Sequence, residues 1–215
     1  MTQHLLEILR QLAIVSIPLL LGIILHELAH GYVAYLQGDP TAKMAGRLSL
    51  NPLKHLDPLG LAVLIITRTI GWAKPVPINP NNFKDLKRGL VLVAIAGPAM
   101  NFGLAFGFWL IFKFSLYLNP LGHNFWQQYL VYPLFLISSA GVVVNIILGV
   151  FNLIPIPPLD GSKILAYFLP KQWLYQYLQV EKYGFLLLLI LILSGGFSTI
   201  LNGILNYIYA HLLVY

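Results

Sequence analysis

The stretch IILHELAHGYVAYL, residues 23–36, decides how this chain is read. It is apolar apart from His26, Glu27 and His30, and it continues an apolar run that begins near residue 12. A helix that crosses a bilayer takes roughly 20 mostly apolar residues, and residues 12–36 supply that length. Pro18 predicts a kink inside the helix, and Gly38-Asp39-Pro40 predicts its end. Residues four apart share a helix face, so His26 and His30 can offer two imidazoles to one point, with Glu27 beside them. Two histidines satisfied by neighbouring carbonyls would be the bland alternative. Ionisable groups within a spanning segment are costly and usually functional, which favours the first reading.

Working outward, the whole chain has the same character. Of 215 residues, 58% are hydrophobic and 9% charged, against about a quarter charged in a soluble domain. The mean hydropathy is +0.78. Seven acids and thirteen bases cannot cover a soluble core of this size. The expected fold is an all-α polytopic membrane protein, a single transmembrane domain over 1–215. Further apolar runs lie at about 89–112, 130–151 and 183–193, with 197–214 after Gly195-Gly196, so four to five transmembrane helices are expected. The first run is read as half of a spanning helix rather than a removed signal, because the nearby small-residue pair Ala29 and Gly31 lies inside HELAHG.

Two connections differ from short loops. Residues 39–88 are rich in Pro, Gly and Asn. Within them RLSLNP (47–52) alternates and predicts a short β-strand, while PLGLAVLII (58–66) is too short to cross and predicts a re-entrant or surface segment. Pro155, Pro157 and Pro158 exclude a regular helix just before Asp160. Eight of the thirteen bases fall in 43–88, opposed there by Asp57 and Asp85, whereas 114–130 carries no Lys, Arg, Asp or Glu. The positive-inside rule then places 39–88 and 152–182 at the cytoplasmic side and the N-terminus outside. HELAH and the proline-rich loop therefore approach the same membrane face.

The absence of cysteine excludes disulfides, thiolate metal sites and cysteine nucleophiles. The net charge of +6 does not point to nucleic acid, since the bases are not set in a polar, aromatic-rich face. HELAH fits H-E-x-x-H, two metal-binding histidines with a glutamate able to activate water. Catalytic zinc takes three protein ligands and keeps one position open. Orientation puts His4 and His123 on the far face, Asp39 reads as part of a helix stop, Asp85 lies in a charged, solvated run, and Glu181 flanks Lys182 at a helix start. Asp160, in NLIPIPPLDG (152–161), lies on the correct side, where broken backbone must line a cavity or be buried in protein. An Asp-Gly turn is its bland alternative. His55 and Asp57 are the rival ligands.

With these residues in hand, the sequence resembles the site-2 protease family of intramembrane zinc metalloproteases. HELAH followed far downstream by N-x-x-P-x-x-P-L-D-G carries the likeness. GDPTAKMAGRLSLNPLKHLDPLG (38–60), GWAKPVPINP (71–80) and AGPAMN (96–101) look like the small branch without PDZ or CBS domains. The resemblance implies one zinc per chain held by His26, His30 and Asp160, with Glu27 as general base and acid. It implies substrate or oxyanion contacts near the active site for Asn152 and Asn101, with the Gly97–Asn101 segment packed close to it. The bland alternatives are a helix cap for Asn152 and a helix–helix hydrogen bond for Asn101. The implied partners are the lipid bilayer and a membrane-protein substrate with a transmembrane helix, cleaved as in regulated intramembrane proteolysis. The implied location is the plasma (inner) membrane of a prokaryote, with the active site nearer the cytoplasmic face. Residues 47–51 are expected to offer an edge on which an unwound substrate pairs.

Overall fold

Helix α1 runs from Thr2 to Leu36 in the computed structural model, which describes residues 2–58, 60, 62, 73–170, 172, 173, 177 and 181–214. Pro18 lies inside α1, and the helix continues through it. After a one-turn helix α2 (Thr41–Met44) come α3 (Leu86–Tyr117) and α4 (Tyr132–Asn152). Three shorter helices follow: α5 (Asp160–Phe168), α6 (Gly184–Leu193) and α7 (Gly196–Tyr207). A π-turn, Gln127–Val131, extends α4 at its start, and another, Ile208–Leu212, extends α7 at its end.

The architecture is the all-α polytopic one expected. Leu5–Leu36, Leu86–Tyr117 and Gln127–Asn152 are each long and apolar enough to cross a membrane. A fourth span results if Leu186–Leu193 and Gly196–Leu212, bent by 68° at their junction, act as one. The bend has a local cause. Gly195 sits at φ 77°, a left-handed conformation that ends a helix and that glycine adopts without steric cost. Leu6, Leu12 and Ile17 of α1 are all more than half exposed. On a soluble protein that surface would be an aggregation patch. On a spanning helix it is the face that meets lipid.

The residues cluster into two compact groups. The first comprises 1–22, 101–151 and 186–215. Its core is Phe112, Val142, Ile208 and Leu213, ringed by Phe108, Trp109 and Phe135 among others. Buried polar groups are paired inside it. Asn101 Nδ2 donates to the Gly22 carbonyl at 3.2 Å and to Asn145 Oδ1 at 3.1 Å, and Asn145 Nδ2 donates to the Gly141 carbonyl at 3.0 Å. Both asparagines are fully buried. Unpaired amides at membrane depth would cost several kcal/mol each, by order of magnitude, so these bonds clasp α1, α3 and α4 together.

The second group comprises 23–100 and 152–185. Ala34, Phe83 and Val93 form its small apolar core with Val33, Ile78 and Leu90. Asp85 Oδ1 accepts the Arg88 amide at 3.0 Å and so caps the start of α3. The strand expected at 47–52 is not formed; the segment is a series of bends leading into a 3-10 turn, Pro52–Lys54. Local side-chain bonds have replaced a ladder. Ser49 Oγ accepts the Asn51 amide at 3.2 Å, and Asn51 Oδ1 accepts the Leu53 amide at 3.0 Å. Leu50 is 64% exposed. The connection does contain one antiparallel bridge, Leu56 to Ala73. Most of the segment expected to be re-entrant, 58–66, lies outside the described residues.

Candidate metal centre

HELAH is helical as its spacing requires, so His26 and His30 stand one turn apart on α1, their Nε2 atoms 2.9 Å from each other. Asp160 joins them from the first turn of α5. Its Oδ2 lies 3.2 Å from His26 Nε2 and 3.0 Å from His30 Nε2. Pro155, Pro157 and Pro158 stop α4 from continuing, and the chain re-enters a helix at Asp160. Gly161 makes the turn possible, because a Cβ there would collide with the carbonyls of Leu153 and Ile154. All three residues of the cluster are buried, Asp160 to 5% exposure.

The protonation pattern follows from the neighbours. His30 Nδ1 is 2.7 Å from the Val93 carbonyl, which can only accept, so Nδ1 carries a proton. Burial pushes the Asp160 carboxyl up, but hydrogen bonds from His26 and His30 and the charge of Lys163 outweigh it, and its pKa ends well below the ordinary range. Lys163 Nζ is 3.3 Å from Oδ1, which leaves Oδ2 to the histidines. Nitrogens of two imidazoles and one anionic oxygen thus converge within 4.8 Å. A cation relieves that crowding.

The donor set suits zinc, which takes imidazole and carboxylate in this combination. Bonds of about 2.0–2.2 Å in a tetrahedron put ligand atoms roughly 3.3–3.6 Å apart. The observed separations are slightly shorter and of that size. His30 also has the outer partner that a metal-binding histidine needs, the Val93 carbonyl, which fixes its tautomer and ring orientation.

Two features of the site had weak signals in the sequence. Gly97 lies one turn beyond Val93 on α3, and a Cβ at that position would come to 2.6 Å from His26 Nε2 and closer still to His30 Nε2. AGPAMN reads as a close-packing segment, but what it packs against is the histidine pair itself. Gly97→Ala is expected to weaken zinc binding by about 10–100-fold, the range for disturbing a ligand's surroundings. A competitive zinc titration of the purified variant checks this, and unchanged affinity would mean that α3 and the histidines do not meet as drawn. The second feature is Val76, whose amide donates to Glu27 Oε2 at 2.8 Å.

The other sequence-derived residues have structural partners. His55 is fully buried and bonds the Ser49 carbonyl through Nε2 at 2.7 Å. Asp57 Oδ1 accepts the Gly60 amide at 3.0 Å. Neither belongs to the metal-capable cluster among the described residues. Asn101 has the helix-clasping bonds given above. Asn152 is the last residue of α4 and is partly buried. Asp39 does more than stop a helix. It accepts the Thr41 amide at 3.1 Å, the Thr41 hydroxyl, the Asn79 amide at 2.8 Å and Asn82 Nδ2 at 2.8 Å. Burial raises its pKa, and these donors more than reverse the effect, leaving it lowered.

Apolar spanning helices and a buried His–His–Asp cluster define an integral-membrane protein with a metal-capable centre. Comparison with known proteins narrows this. Residues 123–194 match the model of Peptidase family M50. "Putative zinc metalloprotease YwhC" of Bacillus subtilis is 42% identical over 191 residues, 88% of this chain and 84% of that protein. The like-named Rip2 of Mycolicibacterium smegmatis is 30% identical over 83% of this chain and 66% of its own length. Zinc metalloprotease MJ0392 of Methanocaldococcus jannaschii is 31% identical over 86% of this chain and 44% of its own. No solved structure matches the chain. The chain belongs to peptidase family M50, the site-2 protease family of membrane metalloproteases, and its cofactor is zinc.

Proposed function

We propose that the chain is a zinc metalloendopeptidase of the HExxH type that hydrolyses peptide bonds within or near transmembrane segments of membrane-protein substrates, as in regulated intramembrane proteolysis. The observation that carries this is the convergence of His26 Nε2, His30 Nε2 and Asp160 Oδ2 beside Glu27 on apolar helices. In this reading the whole chain acts as one protease domain. His26, His30 and Asp160 hold one zinc per chain. When bound, zinc supplies a Lewis acid that acidifies water and polarises a peptide carbonyl.

The chain's own residues supply the rest. Glu27 accepts a proton from the attacking water and delivers it to the leaving amine. The Val93 carbonyl holds the His30 ring, and Lys163 occupies the Asp160 oxygen that does not face the histidines. Burial of the cluster strengthens the electrostatic interactions at the reacting carbonyl. The basic residues of 43–88 favour a cytoplasmic position for the site, at the plasma membrane of a prokaryote. Residues 47–51 are bent rather than extended, so they offer no strand edge on which a substrate could pair.

Purified protein in liposomes tests the function. A co-reconstituted single-span substrate should be cut into two fragments, a zinc chelator should stop the cleavage, and added zinc should restore it. Transport of labelled metal across the same liposomes without fragments would replace this reading with that of a carrier.

A further inference from the structure

We propose that the backbone amide of Val76 positions Glu27, and that residues 74–79 form a strap built to deliver that one amide. The inference rests on the role given to Glu27 above. Pro75 and Pro77 have no N–H, so Val76 is the only backbone donor between Lys74 and Ile78. It meets Glu27 Oε2 at 2.8 Å, and among the described residues no other donor reaches that carboxylate. A shift of one residue either way would set a proline under Glu27 and leave the carboxylate without a donor. The sequence therefore permits a single register.

The strap is fixed at both ends. The Lys74 amide donates to the His55 carbonyl at 2.9 Å, and an Arg47 guanidinium N–H donates to the Lys74 carbonyl at 2.6 Å. At the other end the Asn79 amide donates to Asp39 Oδ2 at 2.8 Å, and Asp39 is itself held by Thr41 and Asn82. In between, the Val76 side chain is 7% exposed and seated at Gly31, where a Cβ would come to 3.0 Å from Val76 Cγ1. Gly31 is four residues beyond Glu27 and so on the same face of α1. One residue thus grips that face twice, its side chain at Gly31 and its N–H at the carboxylate. The bond occupies Oε2 and leaves Oε1 for the proton. A general base must be held in geometry before its basicity matters, and Val76 supplies that hold. This gives Asp39, Arg47 and His55 a common purpose, the placing of the strap.

Two substitutions separate the amide from the side chain. Val76→Ala keeps the N–H and removes packing. Val76→Pro removes the N–H at a position already held extended by the following proline. With zinc-loaded full-length protein and a single-span substrate, Val76→Ala, which gives up the grip at Gly31 and keeps the amide, should lower kcat by about threefold. Val76→Pro should lose about 10–100-fold in kcat, the scale of a small misplacement of a reacting group, with KM and zinc per chain unchanged. Equal kcat for the two variants overturns the proposal, as does a Val76→Pro loss that follows zinc release. Hydrogen exchange gives a readout that needs no activity and survives a misfolded variant. A fragment covering 73–77 reports the Val76 amide alone, because its first two residues lose their label and Pro75 and Pro77 carry no N–H. That amide should be protected in wild type and exchange at least tenfold faster in Glu27→Ala, while the Asn79 amide keeps its rate. An unprotected Val76 amide in wild type sinks the idea. Glu27→Gln run alongside distinguishes the two claims. If it cleaves normally, the base assignment is at fault. If it is inactive while the two Val76 variants agree, only the strap is.

Discussion

Glu27→Gln should keep its zinc and its fold and lose about 10²–10⁴-fold in cleavage, the range that a positioned general base contributes. The geometry explains why the two properties separate. Glu27 lies outside the His26–His30–Asp160 cluster. Its Oε2 faces the Val76 amide, and a glutamine oxygen can accept the same bond. Size, helix propensity and strap contact therefore survive, and only the ability to take a proton is lost. The measurement is zinc per chain together with the amount of cleaved single-span reporter, in cells or in liposomes. Normal cleavage by Glu27→Gln would remove it as the base. Loss of zinc together with activity would instead make it a ligand.

How much of this was legible in the sequence depends on the range of the contact concerned. HELAH announces itself because its two histidines need only a helix between them, and apolar composition fixes that helix. Asp160 was reachable by elimination and charge asymmetry, since both restrict which acids lie near the same membrane face. Val76 and Asp39 were not. The Glu27–Val76 bond joins residues 49 apart and the Asp39–Asn79 bond residues 40 apart. Nothing in local periodicity encodes such pairings. With hindsight P-V-P held a usable signal, a lone N–H between two residues that have none. The strand expected at 47–52 failed for the opposite reason. Its alternation is real, but Ser49, Asn51 and Pro52 offer the backbone local partners, and short-range bonds of that kind prevail where no neighbouring strand exists.

Asp160→Ala should bring zinc per purified chain from about one towards zero, since two imidazoles are one protein ligand short of a catalytic zinc site. The loss should be at least the about 10–100-fold in affinity that a mere outer-shell change costs. Asp160→Asn sharpens the test. It preserves shape and the start of α5 but removes the anionic oxygen that faces both Nε2 atoms. If charge is what holds the metal, Asn should behave like Ala. If Asp160 only caps α5, Asn should behave like wild type, because asparagine caps helices as well as aspartate does. His55→Ala and Asp57→Ala are the matching controls and should keep zinc, although His55→Ala should destabilise the loop by removing the bond to the Ser49 carbonyl. Zinc retained in both Asp160 variants and lost in either control would move the third ligand away from α5. The buried position of Asp160 makes the Ala variant informative in a further way. Removing the carboxylate leaves Lys163 without its partner and two histidines facing each other 2.9 Å apart. The pair can then share a ring proton, which occupies the nitrogens that would hold the metal and adds to the loss of zinc.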